Sequence, residues 1–275
     1  IGGVGAVITF LPVLIIFFAA FAILEDIGYM ARAAYVMDNF MHAMGLHGKS
    51  FLPLFLGFGC NVPAIIGTRV IDSWPARLLT ILIAPLVPCT ARLAVVAFIA
   101  PAFFGRYAFL VTWGIVALSL ILLFIIGAIL NRTIFKGDRS AFIMEIPLYH
   151  APNIRTISIL VWQRTVSFIR KAGTSILIIS MIIWLFSFLP GGVLETSYLA
   201  RLGYAIEPVG KWMGFDWRMM IALLSSFPAK ENIIATLGVL YGSSAETGLS
   251  TLLASIYTPA SALSFLVVSV LFIPC

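Results

Sequence analysis

The segment Phe51-Leu52-Pro53-Leu54-Phe55-Leu56-Gly57-Phe58-Gly59-Cys60-Asn61-Val62-Pro63-Ala64-Ile65-Ile66-Gly67-Thr68 decides the fold. Most of it is apolar enough to enter a lipid bilayer. Yet Pro53, Gly57, Gly59, Pro63 and Gly67 interrupt any single helix, and the polar pair Cys60–Asn61 stands near its centre. Backbone groups freed at such breaks find no water in hydrocarbon. Irregular backbone at membrane depth persists only where protein buries it or where it lines a wet cavity. Arg69, Asp72 and Arg77 then return the chain to water. The spacing predicts a re-entrant hairpin broken at Cys60–Asn61.

The rest of the sequence supplies the membrane setting. Of 275 residues, 61% are hydrophobic and only 10% charged, with a mean hydropathy of +1.10. A soluble domain carries about 25% charged residues, so the polar shell that a water-soluble core needs cannot be built. The formal net charge of +6 is read by where the positives lie relative to the spans, and no nucleic-acid partner is expected. Three cysteines are an odd number and lack the spacing of a disulfide framework. Ile1 is not an initiator methionine, no basic stretch precedes the first apolar run, and Cys275 falls inside an apolar segment. The sequence therefore reads as a piece of a longer chain, without a signal peptide.

Working outward, Val4 to Leu24 is a full-length apolar run closed by Glu25–Asp26, a spanning helix. Between Asp26 and Met44, the residues Met30, Met37, Met41 and Met44 recur on one helical face. That pattern predicts an amphipathic helix in the interface, with the methionines packing. Leu78 to Phe104 is a span broken at Pro85, Pro88 and Cys89, with Arg92 just beyond, and Tyr107 to Leu130 is a plain span. Residues 131–171 carry Arg132, Lys136, Arg139, Arg155, Arg164, Arg170 and Lys171 against only Asp138 and Glu145. This excess predicts a cytoplasmic loop by the positive-inside rule. Ala172 to Leu189 spans again. Met219 to Tyr241 is a second broken element, with Pro228, Lys230, Glu231 and Asn232 at its middle, and Pro259 begins a last span.

The two broken elements are related. Aligning Gly45–Leu46 with Gly214–Phe215 brings Phe58 onto Phe227 without a gap, and Pro88–Cys89 answers Pro274–Cys275 once extra residues around 243–248 are allowed. Each half reads as span, amphipathic helix, broken hairpin and a span carrying Pro-Cys. One further span lies between the halves, so their orientations are opposite. Inverted repeats whose discontinuous helices meet near the midplane are an architecture of secondary transporters. The expected fold is an all-α polytopic membrane protein with two inverted repeats and broken helices.

Ionisable and soft-ligand side chains inside apolar spans are expensive, so each is a candidate site. Cys60, Cys89 and Cys275 all sit at breaks, and two of them are related by the repeat. Thiolates bind borderline and soft divalent metals after losing a proton, whereas an isolated buried cysteine is usually inert packing. Glu231, beside Lys230 in the second break, is either a carboxylate ligand or half of a self-neutralising pair. Glu25 and Asp26 read as an interfacial anchor, or as the vestibule of an ion path. His42, His47 and His150 fall outside the spans. The string Ala43-Met44-Gly45-Leu46-His47-Gly48-Lys49-Ser50 fits a loose phosphate-loop pattern. Such a loop follows a strand of an α/β domain, and none is expected here, so nucleotide binding at this string is rejected.

Several ordered motifs resemble the membrane part of the ferrous iron transport protein B (FeoB) family. They are Leu24-Glu25-Asp26-Ile27-Gly28-Tyr29-Met30-Ala31-Arg32-Ala33-Ala34, Gly45 to Phe51, Gly57 to Pro63, Pro88-Cys89-Thr90-Ala91-Arg92, Met144-Glu145-Ile146-Pro147 and Ala229-Lys230-Glu231. The resemblance implies the permease part of a GTP-dependent Fe²⁺ importer of the bacterial inner membrane, and no enzyme in this chain. It further implies a first gate repeat over residues 1–105, a connecting span and basic cytoplasmic loop over 106–171, and a second gate repeat over 172–275. Cys60, Cys89 and Cys275 match positions proposed to line the ion path, Glu231 falls in the second-gate motif, and Asn61 stands within the first. GTP and Mg²⁺ would act only through a cytosolic domain preceding this part. Further implied partners are Fe²⁺ itself, the lipid bilayer, small cytosolic accessory proteins of the same system and a homo-oligomer. Ala229–Lys230 stands opposite Cys60–Asn61, so the halves do not offer identical ligands. A nucleoside-transporter-like gate protein and a non-transporting membrane scaffold or sensor are the alternatives.

Overall fold

The computed structural model describes residues 2–43, 46, 48–134, 149, 151–189, 197–227, 229–230, 232–242 and 246–271. Among them the chain is all-α, without a strand. It folds as two compact units. One comprises Gly5–Cys89 and Leu120–Thr174; the other comprises Ile1–Val4, Thr90–Ser119 and Ser175–Cys275. They are called the first and second unit below.

In the first unit, helix α1 (Gly2–Asp26) leads to α2 (Tyr29–Ala43), and their described parts bend by 80°. Gly28 makes that corner with φ of 83°, a backbone region that costs an L-residue with a Cβ. Met30 and Met41 are buried in the unit's apolar clusters, and Met37 packs against one of them. These three methionines therefore pack, as the spacing suggested, and Met44 lies outside the described residues.

After a 3₁₀ turn at Gly48–Ser50, α3 (Phe51–Gly59) and α4 (Asn61–Gly67) form the broken element. The break has a steric cause. In one continuous helix, the Pro63 ring would meet the carbonyl of Gly59 four residues back, and Pro63 has no N–H to bond it. Restarting the helix at Asn61 places Pro63 in the first turn, where N–H groups lack intrahelical partners anyway. Cys60 takes up the change in an extended conformation, φ −153° and ψ 128°. Its N–H still bonds Leu56 O at 3.0 Å, and its carbonyl accepts from Ala64 N at 3.3 Å.

The same logic ends α5 (Trp74–Ile83), which gives way to a 3₁₀ turn at Ala84–Leu86 carrying Pro85, with Pro88 just beyond. In the second unit, α6 (Thr90–Phe104) packs against α13 (Glu246–Ile256) and α14 (Pro259–Leu271). Val95, Ile99, Phe215, Leu237, Phe265 and Leu266 belong to its core. There α11 (Trp217–Ser225) and α12 (Asn232–Leu240) form the second broken element. Next to them in sequence stands the amphipathic α10 (Tyr198–Lys211).

Helix α7 (Ala108–Thr133) has 26 residues, about 39 Å at ~1.5 Å per residue, enough to cross a bilayer. It closes the stretch Trp74–Thr133, whose most apolar window has a mean hydropathy of 2.8 and only 17% of its residues buried. An apolar window left this exposed faces lipid. Two bent helix pairs, one of them Gly248–Ile256 with Pro259–Leu271, are together long and apolar enough to span as well.

Two departures from the sequence reading stand out. Residues 131–171 were expected as a loop, yet α8 (Ile154–Phe168) lies within them. Asn153 caps it, Oδ1 accepting from Arg155 N at 3.0 Å. A π-helical turn at Ile169–Gly173 then carries α8 directly into α9 (Thr174–Phe188). Likewise the extra residues around 243–248 that the repeat alignment allowed run into a helix of their own, α13, which starts at Glu246 and precedes the last span.

Candidate functional site

The broken element of the first unit is held open by two close approaches. A Cβ on Gly59 would lie 2.1 Å from Cζ of Phe17 on α1, and one on Gly57 would lie 3.2 Å from Cβ of Val87. Only glycines let α1 and the 84–89 turn come so near the α3–α4 break. The 3₁₀ turn at Ala84–Leu86 packs on both α3 and α4. Through it the first break meets the second, where Pro88 and Cys89 are both buried.

Asn61 is the unusual residue here. Its side chain is only 2% exposed, and neither Oδ1 nor Nδ2 has a hydrogen-bond partner. Each polar group left unmatched in the interior costs about 1–3 kcal/mol, so proteins seldom keep one without a use. Oδ1 lies close to the site a Gly57 Cβ would occupy, 3.5 Å away. Cys60, partly buried, precedes Asn61 in the break. Cys60 and Cys89 are both free of disulfides. Among the described residues no three His, Cys, Asp or Glu side chains gather as a closed metal cage.

The candidate vestibule residues are both engaged. Glu25 Oε2 accepts from Arg164 Nη2 at 2.5 Å, and Asp26 Oδ2 accepts from the backbone N of Asn153 at 2.8 Å. They tie the end of α1 to the start and middle of α8. Neither partner was foreseeable, because each lies more than a hundred residues away in sequence.

In the second unit the break between α11 and α12 carries buried polar groups beside a half-exposed Phe227. Ser225 Oγ and Thr236 Oγ1 bond at 2.8 Å, and Ser226 and Lys230 are buried. Asn232 N bonds Ala229 O and Ile233 N bonds Lys230 O, which starts α12. Lys230 has a partner of its own. Glu231 and Cys275 lie outside the described residues. A neutral amide with two unbonded atoms stands in one break and a buried lysine in the other, so the two offer different chemistry.

The phosphate-loop-like string is otherwise occupied. Lys49 pairs with Asp72 at 2.5 Å, and the buried Ser50 hydroxyl accepts from Thr80 Oγ1 at 2.9 Å.

Broken apolar helices before and after a lipid-facing span define a gate-type membrane protein. Sequence comparison agrees: the family described as Gate, nucleoside recognition, matches residues 7–103 and 169–275. Residues 112–164 match the ferrous iron transport protein B C terminus. The chain belongs to the ferrous iron transport protein B family. A Fe(2+) transporter FeoB of Staphylococcus aureus (strain COL) is 40% identical over the whole chain, which covers 42% of that protein. One of Methanocaldococcus jannaschii is 39% identical, with 100% of this chain and 43% of the relative covered. A protein of Porphyromonas gingivalis named as a fusion of Fe(2+) transport protein A and Fe(2+) transporter FeoB is 40% identical over 88% of the chain and 33% of its own length. The chain thus spans a third to two-fifths of the length of these curated relatives. No solved structure matches it significantly.

Proposed function

We propose that this chain is the membrane pathway of a ferrous iron importer and that Fe²⁺ passes the break at Cys60–Asn61. The observation that carries the reading is the buried, doubly unbonded Asn61 amide at a break packed against the turn before Cys89. An amide oxygen is a hard ligand and a thiolate a softer one, a mixture that suits a borderline divalent cation. A few weak ligands suit conduction, which fails if the ion is held too tightly. The names of the relatives favour Fe²⁺ over other divalent ions.

Cys275 and Glu231 contribute from the second half in this reading, and the halves at 1–105 and 172–275 act as inverted gates around the connecting residues 106–171. The full-length protein sits in the bacterial inner membrane with 131–171 in the cytoplasm. GTP and Mg²⁺ act through a domain carried elsewhere in the full-length protein, and the protein assembles as a homo-oligomer. A small accessory protein joins it, a partnership that the Porphyromonas gingivalis fusion favours.

The test is Fe²⁺ uptake by full-length protein in cells without other ferrous importers. Cys60→Ser and Cys89→Ser are each expected to cut uptake ~10-fold or more at unchanged membrane abundance, the loss of one charged-ligand contact of about 1.5–3 kcal/mol. Cys275→Ser is expected to follow. Uptake at the native rate in all three would make the thiols packing and sink the cysteine path. A second reading, transport of a nucleoside, draws on the description of the matching gate family. It requires that a nucleoside compete with Fe²⁺ for uptake, and the first reading requires that it does not.

A further inference from the structure

Helices α4 and α8 flank a half-open groove of about 330 Å³, with Val62, Pro63, Ile66 and Leu160 among its apolar lining and Gln163, Arg164 and Ser167 as its polar groups. At the small end of ligand-site volumes, it has room for a stretch of acyl chain and not for a polypeptide helix about 10 Å across. Arg164 bonds Glu25 through Nη2 and lies 5.3 Å over the Phe21 ring. A guanidinium carries five N–H donors, so one carboxylate contact leaves capacity for a second anion. The helix stretch itself is basic: residues 154–173 hold Arg155, Arg164, Arg170 and Lys171 and no Asp or Glu, and the Glu25 carboxylate on Arg164 offsets one of these four cations. On the outer face of α8, Trp162 is 71% exposed beside exposed Ile159. An apolar face with Trp and flanking cations is how a helix settles at the headgroup level of a membrane.

We infer that this groove binds an anionic phospholipid, with an acyl chain along Val62 and Ile66 of α4 and the phosphate at Gln163 and Arg164. The bilayer supplies acyl chains wherever an apolar groove opens to it, and the basic stretch selects the headgroup. The site lies on α4, the helix that begins at the Cys60–Asn61 break, so its occupant braces one half of the broken element. It rests on the membrane setting and not on the identity of the cargo.

The experiment is native mass spectrometry of full-length protein taken from nanodiscs of phosphatidylcholine with and without phosphatidylglycerol. Gly67 lines the groove, and a Cβ there meets only Leu56 Cδ1, at 3.4 Å, so a side chain can start at this position, and Gly67→Leu is the variant chosen to fill the groove. The native protein is expected to retain phosphatidylglycerol over phosphatidylcholine, and Gly67→Leu to lose the retained lipid. Arg164→Gln is expected to lower the headgroup preference by about fivefold, and Arg164→Lys to recover part of it. Equal retention in Gly67→Leu, or no preference between the two lipids in the native protein, would overturn the inference. A co-purifying polypeptide in place of lipid would overturn it too. Retention is read without any transport, so its failure and that of the iron pathway are separate results.

Discussion

Asn61→Leu is expected to abolish most Fe²⁺ uptake while leaving the protein at least as stable as the native one. Leucine has the branched shape of asparagine in a somewhat larger volume and carries no polar group, so it removes two unbonded atoms from the interior. Restoring a buried site to apolar packing is nearly neutral or stabilising, with about 1–3 kcal/mol at stake for each unmatched group. If the amide contacts the passing ion, its loss forfeits about 1.5–3 kcal/mol at the constriction, ~10–100-fold in flux. Uptake assays alongside thermal unfolding of purified full-length protein read both quantities. The opposite pairing, a destabilised protein that still transports, would mean that Asn61 serves the fold and not the pathway. Asn61→Gln keeps the amide on a longer arm and should fall between the two in uptake.

Gly59→Ala is expected to be the most damaging single-methyl addition in the first unit. The new Cβ would lie 2.1–2.8 Å from three atoms of the Phe17 ring. Alanine is the better helix former by about 1 kcal/mol, but an overpacked site costs about 1–3 kcal/mol, and here the clash involves a whole aromatic edge. The ring has to swing away from the break, which loosens the contact between α1 and α3. Phe17→Ala supplies the missing room, so the double substitution should be less destabilised than the sum of the two singles. A coupling of about 1–3 kcal/mol in that direction is the expected signature. Strict additivity would show that Phe17 and Gly59 do not touch in the folded protein.

Much of this arrangement was legible in the sequence because it follows from local sterics. Pro63 forbids a helix through Gly59, and Pro85 and Pro88 do the same for α5, so the breaks could be placed without coordinates. Apolar run length located α7, and methionine spacing located the buried face of α2. The misreadings have physical causes as well. Helix α8 hid in a segment judged by its charge, although Asn153 followed by Ile154, Leu160 and Val161 carries a cap and an apolar stripe. Charge density says where a segment meets water and nothing about whether it is helical. The partners of Glu25 and Asp26 were beyond reach because tertiary pairing leaves no local signal. Arg92 was read as lying just past the break, yet it is among the largest fully buried side chains of the chain and is partnered there. That Asn61 keeps both amide atoms unbonded depends on Gly57, Val87 and the packed turn around it, and no pattern of residue types could show it.

The central claim is that an aqueous ion path reaches the first break. Its most direct test is the rate at which a small, membrane-impermeant thiol reagent modifies Cys60 in full-length protein in sealed vesicles, with Fe²⁺ or Mg²⁺ present under reducing, anaerobic conditions. The account predicts that Cys60 reacts, that Fe²⁺ slows the reaction, and that Mg²⁺, which prefers oxygen ligands and gives up its water reluctantly, does not. Failure of Cys60 to react from either side, or a rate indifferent to Fe²⁺, would contradict it.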